Sequence, residues 1–427
     1  MKEVLDNHIK RVERAIIVGV QLGNESEWEA EQTLNELGQL VQTAGAKVVG
    51  RTMQRLDKPN VRTFIGPGKA EEVMQLARAE QADLVVFDVD LSPSQQRNLE
   101  GIISKVKIID RTGIILDIFA QHAHSAEGKL QVELAQLNYL LPRLRGMWQH
   151  LERQVVGGVG LRGPGETQLE TDKRLMRKRI QRLTRELEEL KQNRSTQRKK
   201  RQKQGVYSIA LVGYTNAGKS TLINALTGAD VLVEDKLFAT LDSTTRKLSL
   251  DNHRKEVVIS DTVGFIKKLP HQLIAAFRST LDEVRMADLL LHVVDASCPQ
   301  LEAQIKAVED VLKELEADGK PQILILNKID LVAEADKLRL NKVYPDAVQL
   351  SAEKSIGLDD LKKAIDKVMR KGMVRLHLLI PYTHGEAIQK LYSAGLVHSE
   401  HHTEEGTDIV VDVPEESTAE FSSFIIR

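Results

Sequence analysis

A single cysteine, Cys298, is present in the 427-residue chain. One cysteine can form neither an intrachain disulfide nor a cysteine metal cluster, so Cys298 is expected to be a structural thiol. Long apolar runs are also missing, because residues 15–20 and 289–294 fall far short of the roughly 20 apolar residues that a membrane-spanning helix needs. With no signal-peptide pattern either, we expect a cytoplasmic protein without a membrane span.

An excess of charge of one sign is missing as well. The chain carries 60 Lys and Arg against 61 Asp and Glu, which gives a formal net charge of −1. Overall charge therefore predicts no partner, and only the local distribution of charge can do so. The length suffices for about three domains of a soluble globular protein.

The most informative stretch that is present runs from Gly213 to Ser220 and reads GYTNAGKS. It matches G-x-x-x-x-G-K-S, a loop whose backbone N–H groups wrap a triphosphate. Residues 208–212 predict a buried strand before the loop, and residues 219–226 predict a helix whose positive end points at the phosphates. Lys219 is expected to neutralise the β- and γ-phosphates, and the Ser220 hydroxyl to bind Mg²⁺. The alternative is a glycine-rich turn with a chance lysine.

Three later motifs indicate a guanine nucleotide: DTVG at 261–264, NKID at 327–330 and SA at 351–352. Asp261 follows a predicted strand, which places its carboxylate beside the metal, and Gly264 can donate its N–H to the γ-phosphate. Asp330 carries base choice, because its carboxylate only accepts hydrogen bonds and the facing edge of guanine offers two donors. A mismatched base would leave buried polar groups unpaired. The order and spacing of the motifs therefore predict a GTPase.

We predict that the nucleotide, GTP or its product GDP, is bound by a set of residues spread over all of these segments. They are Gly213, Tyr214, Thr215, Asn216, Ala217, Gly218, Lys219, Ser220, Thr221, Phe238, Ala239, Thr240, Leu241, Asp242, Asp261, Thr262, Val263, Gly264, Asn327, Lys328, Ile329, Asp330, Ser351 and Ala352. Catalysis is assigned to Lys219, Ser220, Thr240, Asp261 and Gly264, and metal binding to Ser220, Thr240 and Asp261. Thr245 competes with Thr240 for the metal contact in the first switch, and a solvated Ser/Thr loop is the alternative for residues 238–246.

Two positions suggest what the site needs from outside. Many GTPases have a glutamine after D-x-x-G that orients the attacking water, whereas this chain has Phe265, whose ring can do neither that nor take a proton. Slow basal hydrolysis and stimulation by a macromolecular partner are therefore expected. Asn216 stands where related GTPases use a monovalent cation, so K⁺ is expected to support hydrolysis better than Na⁺.

Residues 14–110 alternate apolar runs with amphipathic ones, which predicts a parallel sheet with crossover helices. Strands are expected at 14–20, 46–49, 84–88 and 106–110, and helices at 25–43, 69–80 and 93–104. The segment from Thr63 to Lys69 reads TFIGPGK, for which a turn into a helix is favoured over a second anion site for nucleotide or RNA phosphate.

Residues 112–203 predict two long helices joined by a glycine-rich turn, which is typical of an antiparallel helical hairpin. From Lys173 to Lys203 there are fourteen Lys and Arg against three Glu. Such a local excess favours nucleic acid as a partner, and a solvated linker face is the alternative. The glycines between Gly157 and Gly165 cost conformational entropy that a tether would not require, so insertion against RNA is expected there.

The last segment predicts a small α+β domain, ferredoxin-like in type, with strands at 376–381 and 409–413 and a helix at 384–393. His398, His401 and His402 fall in a Glu-rich stretch that we interpret as a turn. A metal site there is the less favoured interpretation.

Three segments carry a family resemblance: GPGETQLETD at 163–172, FATLD at 238–242 and DTVGF at 261–265. With them the chain resembles the HflX GTPases, TRAFAC-class P-loop GTPases in which a hydrophobic residue replaces the switch glutamine. The resemblance covers about residues 14–370. The fold class expected is α/β: a P-loop GTPase domain preceded by a small parallel α/β domain with a long helical hairpin and followed by a small α+β domain. The expected domains are 1–111, 112–204, 205–370 and 371–427, where 112–204 is the RNA-binding hairpin.

The resemblance implies a monomeric cytosolic GTPase that binds the large ribosomal subunit, through ribosomal RNA and stalk proteins, and splits stalled or idle ribosomes under stress. A ribosome- or membrane-associated fraction and a secondary ATPase activity also follow from it. An ATP- or GTP-dependent RNA helicase or chaperone acting on ribosomal RNA is the alternative function. A scaffold that binds GTP only to hold its shape is a third, which the intact Ser220 and Asp261 disfavour.

Overall fold

The computed structural model describes residues 12–23, 25–144, 168–203, 206–228, 237–238, 244–250, 256–267, 278–371 and 373–426. The chain forms two compact units, which meet in sequence between Leu187 and Glu188. The predicted α/β fold class is confirmed. The four predicted domain boundaries stay a prediction.

The first unit contains a four-stranded parallel sheet in the order β2-β1-β3-β4. Its elements are β1 (Arg14–Leu22), α1 (Glu27–Thr43), β2 (Lys47–Leu56), α2 (Pro67–Ala79), β3 (Leu84–Phe87), α3 (Pro93–Ile102), β4 (Lys107–Asp110), α4 (Arg111–His122), α5 (Ala126–Leu140) and the first part of α6 (Gln168–Lys203). The residues of α6 from Glu188 onward belong to the second unit. The four strands and three helices predicted for residues 14–110 are confirmed. The predicted helix at residue 25 begins two residues later because Ser26 forms a capping box with Glu29.

The segment from Thr63 to Lys69 is a turn into helix α2, as favoured from the sequence. Gly66 caps the helix, and its N–H donates to Gln54 Oε1 at 2.9 Å. The Lys69 ammonium forms an ion pair with Glu72 at 2.7 Å. An anion at this helix end would have to compete with the Glu72 carboxylate, so the structure favours the turn alone.

A buried ionic cluster joins α4 and α5 to the sheet. Arg111 forms ion pairs with Asp88 at 2.6 Å and with Glu36 at 2.9 Å, and its side chain is 2% exposed. Asp110, at the end of β4, accepts from the Tyr139 hydroxyl at 2.8 Å and from Arg143 at 3.0 Å. The cluster lies across the predicted boundary between 1–111 and 112–204.

The described residues of 112–203 form three α-helices, α4, α5 and α6, where two long ones were predicted, and α5 contacts α6 as the arms of the predicted hairpin would. Arg179 on α6 makes two hydrogen bonds to Glu133 on α5, at 2.7 and 2.9 Å, and Leu183 is fully buried. Arg177, Lys178 and Arg185 are exposed on α6. The glycine-rich tip, residues 157–167, lies outside the described residues.

The second unit contains a six-stranded sheet in the order β10-β9-β8-β5-β7-β6, in which β6 alone is antiparallel to its neighbour. Its elements are β5 (Tyr207–Gly213), α7 (Lys219–Thr227), β6 (Thr245–Leu248), β7 (Val257–Ser260), α8 (Arg278–Met286), β8 (Leu289–Asp295), α9 (Leu301–Glu314), β9 (Gln322–Asn327), α10 (Glu334–Val343), β10 (Val348–Gln349) and α11 (Leu358–Met369). The central strands are almost entirely apolar because helices cover both faces of a parallel sheet. Their carboxyl ends at Gly213, Asp295 and Asn327 therefore lie along one edge, where ligands of such folds bind.

The end of the chain is a three-stranded antiparallel sheet in the order β11-β13-β12. Its elements are β11 (Met373–Ile380), α12 (Gly385–Ala394), β12 (Leu396–His402), β13 (Thr407–Pro414) and the short α13 (Thr418–Phe421). The predicted small α+β domain is confirmed. The interpretation of residues 398–402 as a turn is wrong, because these residues form β12 and pair with β13.

Strand β12 forms despite its polar sequence because its backbone pairs with β13 and its side chains also bond to residues of β13. His398 contacts Asp412 Oδ2 at 2.7 Å, and Asp412 also accepts from Arg375 at 2.8 Å. In the part of the chain that the structure describes, no group of three or more His, Cys, Asp or Glu side chains is placed to hold a metal ion. Within the same residues, no helix combines the length and apolar character needed to cross a membrane.

Candidate functional site

The loop from Gly213 to Ser220 connects β5 to α7, as the motif predicts, and two glycines make its path possible. Gly213 has φ 156° and Gly218 has φ 89°. A Cβ on Gly213 would lie 2.2 Å from the Val293 carbonyl oxygen, and one on Gly218 would lie 2.3 Å from Asn327 Nδ2. Both positions exclude a side chain by contact as well as by backbone conformation. The loop can therefore approach a phosphate with its backbone.

Lys219, the first residue of α7, is folded back over this loop. Its Nζ donates to the carbonyl oxygens of Gly213 at 3.1 Å and Tyr214 at 2.9 Å, and the residue is 7% exposed. Burial lowers the pKa of Lys219 to about 8, against the opposing charge of Asp261. A phosphate at the loop would favour the charged ammonium. The two carbonyl groups hold the Lys219 ammonium at the loop, where it can stabilise charge on a phosphate during transfer.

Ser220 and Asp261 place two oxygen ligands side by side. The Ser220 hydroxyl donates to Asp261 Oδ2 at 2.7 Å, and Asp261 Oδ1 accepts from the Thr262 N–H at 3.0 Å. The Thr262 hydroxyl in turn donates to the Leu211 carbonyl at 2.5 Å, which ties the segment to β5. A hydroxyl beside a buried carboxylate fits Mg²⁺, which takes one or two protein oxygens and completes its shell with water and phosphate oxygens.

The DTVGF segment runs directly against the phosphate loop. A Cβ on Gly264 would lie 2.9 Å from Thr215 Cα and 3.0 Å from Lys219 Nζ. Phe265 is 1% exposed, its N–H donates to Gly213 O at 3.0 Å, and its carbonyl accepts from Thr215 N at 2.8 Å. The residue that stands in place of the glutamine is therefore part of the core, and its ring is not presented to an attacking water.

Asn327 links the phosphate loop to the segment predicted to read the base. Its Nδ2 donates to the Ala217 carbonyl at 2.8 Å, and its Oδ1 accepts from the Ala352 N–H at 3.0 Å. Lys328 has a left-handed backbone (φ 59°) and pairs with Asp295 at 2.7 Å. Asp330 follows in a short 3-10 turn with its side chain exposed. A carboxylate at the surface of this edge is accessible to a base, and its role in reading guanine stays a prediction.

Part of the predicted first switch is described. Phe238 is buried with φ 57°, whereas Ala239, Thr240, Leu241 and Asp242 lie outside the described residues. Thr245 lies at the start of β6, where its hydroxyl is hydrogen-bonded to the Ser260 hydroxyl at 2.9 Å. The structure gives the Thr245 hydroxyl this partner on β7, and the choice between Thr240 and Thr245 as the metal contact stays a prediction.

Two features of the site were missed in the sequence. His292 interrupts the apolar strand β8, is 3% exposed, and burial together with the charge of Lys219 lowers its pKa to about 4. Its buried Nε2 has no hydrogen-bond partner among the described residues. A single ionisable residue inside an apolar strand was the signal for it. The second feature is a hydrogen bond from the Lys267 N–H to the Tyr214 hydroxyl at 2.7 Å. No sequence pattern predicts this bond.

Three family models match segments of the chain between residues 31 and 328. Residues 31–120 match the family described as GTP-binding GTPase N-terminal, residues 122–201 the GTP-binding GTPase middle region, and residues 208–328 the 50S ribosome-binding GTPase. A solved structure, a GTP-binding protein from Sulfolobus solfataricus in complex with GDP, is 26% identical with a TM-score of 0.43, and covers 84% of this chain and 99% of its own.

Full-length relatives are similar at much higher identity. GTPase HflX of Caldanaerobacter subterraneus subsp. tengcongensis is 48% identical over 414 residues, which is 97% of this chain and 94% of that protein. GTPase HflX of Escherichia coli is 43% identical over 92% of each chain. With this identity along the whole length, and with the phosphate loop, the paired Ser220 and Asp261 and the guanine motif in place, the chain belongs to the HflX family of GTPases.

Proposed function

We propose that this protein is a GTP-hydrolysing factor that binds the large ribosomal subunit and dissociates stalled or idle ribosomes, notably under stress. One observation carries the proposal: the phosphate loop, with Lys219 and the paired Ser220 and Asp261, lies beside a segment in which the buried Phe265 takes the place of the water-orienting glutamine. Such a site binds GTP and hydrolyses it slowly until a partner completes it. GTP then favours the ribosome-bound state, and hydrolysis permits release.

The basic helix α6 supports RNA as the surface that is bound. Arg177, Lys178 and Arg185 are exposed along it, within the segment of fourteen Lys and Arg against three Glu. Lysine and arginine on one helix bind phosphates without regard to sequence and release counterions as they do so. The glycine-rich tip next to this helix would contact ribosomal RNA in the bound state. In addition, the family that matches residues 208–328 is described as 50S ribosome-binding GTPase.

The oxygen and amide groups at the loop are the basis for proposing two bound ions, Mg²⁺ and K⁺. Ser220 and Asp261, with Thr240, would hold Mg²⁺, which neutralises charge on the phosphates during transfer. Asn216 has a left-handed backbone (φ 59°) within the phosphate loop, and we propose that K⁺ beside it supports hydrolysis.

We also propose that the protein is monomeric and cytoplasmic, with a fraction associated with ribosomes or membranes. It would contact ribosomal stalk proteins and have a secondary ATPase activity. The proposal also includes the four domains at 1–111, 112–204, 205–370 and 371–427.

The test is GTP hydrolysis by the purified full chain in K⁺ buffer, with and without large ribosomal subunits. We expect a rise of about tenfold or more, which corresponds to about 1.4 kcal/mol removed from the barrier. Small subunits at the same concentration are the control for unspecific RNA. Replacement of K⁺ by Na⁺ should lower the rate, and equal rates in the two salts would refute the role given to Asn216. If large subunits leave the rate unchanged while GTP still binds, the partner-completed site is wrong.

Dissociation itself is tested by following intact ribosomes on density gradients after incubation with protein and GTP. Substituting bulky residues for Gly163 and Gly165 should abolish splitting and spare nucleotide binding, because those positions belong to the predicted RNA-contacting tip. Splitting by that variant at the wild-type level would contradict the role of the tip. RNA unwinding with ATP by the intact protein, without splitting, would favour the helicase alternative.

A further inference from the structure

Besides the bond between Ser220 and Asp261, three hydrogen bonds among the described residues join the phosphate loop to the segment 265–267. Two of them are backbone bonds that pair Phe265 with Gly213 and Thr215, at 3.0 and 2.8 Å. The third runs from the Lys267 N–H to the Tyr214 hydroxyl at 2.7 Å. Among these three, only the Tyr214 bond depends on a side chain, so only it varies with the amino acid at position 214.

Tyr214 also contacts the lysine that meets the phosphates. Its carbonyl oxygen accepts from Lys219 Nζ at 2.9 Å, while its hydroxyl holds the amide of Lys267. One residue thus contacts the phosphate-binding lysine at one end and the switch backbone at the other.

We propose that Tyr214 is a positioning residue for GTP hydrolysis, which acts by tethering the switch at Lys267 to the phosphate loop. The tether holds Gly264 over Lys219, where the close approach of the two is already visible: a Cβ on Gly264 would lie 3.0 Å from Nζ. A Gly264 N–H fixed at that place can donate to the γ-phosphate without reorganisation during the reaction. The inference deepens the proposed function and rests on GTP as the substrate of this site.

The Tyr214→Phe substitution keeps the ring and the carbonyl and removes the hydroxyl alone. Tyr207, half-buried at the start of β5, offers a matched control, because Tyr207→Phe removes a tyrosine hydroxyl at the end of the strand away from the phosphate loop. Three quantities are measured on the full chain: the affinity for GDP, the kcat and KM of GTP hydrolysis, and amide hydrogen exchange of residues 261–267.

For Tyr214→Phe we expect kcat to fall about three- to tenfold, the range that the loss of one hydrogen bond produces. KM for GTP and the affinity for GDP should stay within about twofold, since the contacts of Lys219 and Ser220 remain. Exchange at the Lys267 amide should become faster in the nucleotide-free protein, while the Phe265 amide, which is held by a backbone bond, keeps its rate. Tyr207→Phe should match the wild type in all three.

An unchanged kcat in Tyr214→Phe would overturn the proposal, as would an unchanged exchange rate at Lys267. A parallel loss of GDP affinity and kcat would also overturn it, because it would make Tyr214 a part of nucleotide binding rather than of switch positioning. The exchange measurement needs no nucleotide, so it tests the tether even if the chain does not hydrolyse GTP. Failure of GTP hydrolysis in the wild type is then recognised separately, as failure of the proposed function.

Discussion

Asn327 is the residue at which the candidate site should be most sensitive to a small change. Its side chain is 2% exposed and joins two segments that are far apart in sequence, through the Ala217 carbonyl at 2.8 Å and the Ala352 N–H at 3.0 Å. The Asn327→Ala substitution removes both bonds at once. Ala217 and Ala352 are themselves buried, 1% and 4% exposed, so water cannot readily replace the missing partner.

The expected cost follows from those two orphaned groups. A buried donor or acceptor left without a partner costs about 1–3 kcal/mol, so two of them cost about 2–6 kcal/mol in the free energy of unfolding. Asn327→Asp separates the two bonds, because a carboxylate still accepts from Ala352 and sets an acceptor against the Ala217 carbonyl. We expect the affinity for GDP to fall by about tenfold or more in both variants, since the phosphate loop and the base-reading segment are no longer held together.

The assay pairs urea unfolding followed by circular dichroism with titration of a fluorescent GDP analogue. Asn341 is the matched control: it is exposed on α10 and accepts one hydrogen bond, from Gln349 at 2.9 Å. Asn341→Ala should change the free energy of unfolding by less than about 0.5 kcal/mol and leave GDP affinity unaltered. The reasoning is refuted if Asn327→Ala unfolds at the same urea concentration as Asn341→Ala and binds GDP equally well.

Two further predictions concern charge. Since the pKa of His292 is about 4 in the folded chain and 6.5 in its ordinary state, the unfolded state binds more protons between those values, and stability is lost as the pH falls from 6.5 towards 4. His292→Leu should remove about 2 kcal/mol of the loss between pH 7 and pH 5 in urea unfolding, and an identical pH dependence in both proteins would contradict this. Charge reversal of Arg177, Lys178 and Arg185 to Glu should weaken binding to ribosomal RNA. The slope of log affinity against log salt concentration should become shallower by about one for each phosphate that is no longer neutralised, as measured by titration at several salt concentrations. Reversal of the exposed Lys342 and Lys371 is the control, and equal effects of the two sets would argue against α6 as the RNA surface.

The elements of the central sheet could be predicted from the sequence because their chemistry is local. A buried parallel strand is a run of apolar residues, and the glycine-rich loop after β5 has a spacing that phosphate binding imposes. The three helices predicted within residues 14–110 begin within two residues of their predicted starts, and the difference at α1 comes from one capping serine. In contrast, β12 was mistaken for a turn because its polar residues carry no alternation that local rules can detect. Its partners on β13 are what make it a strand.

The details of the site that were not predictable are the ones that depend on tertiary contact. Nothing in the sequence near Tyr214 says that its hydroxyl meets the Lys267 amide, because the two residues are 53 positions apart. The partner of Thr245 was equally hidden, because Ser260 becomes its neighbour only through the antiparallel pairing of β6 with β7. Motif spacing predicts which residues meet the ligand, and the fold decides what holds them there.

The burial of Phe265 bears on how hydrolysis is stimulated in a site that lacks the glutamine. A water-orienting glutamine must move its amide towards the attacking water, whereas Phe265 is buried and its backbone is bonded to Gly213 and Thr215. Burial of a side chain of this size stabilises the contact by about 1.5–3 kcal/mol, which fixes Gly264 above Lys219. In the described residues, core packing thus occupies the position that usually orients the attacking water. Because that packing would have to be undone before residue 265 could act, stimulation is expected to bring a new group to the water rather than to rearrange Phe265.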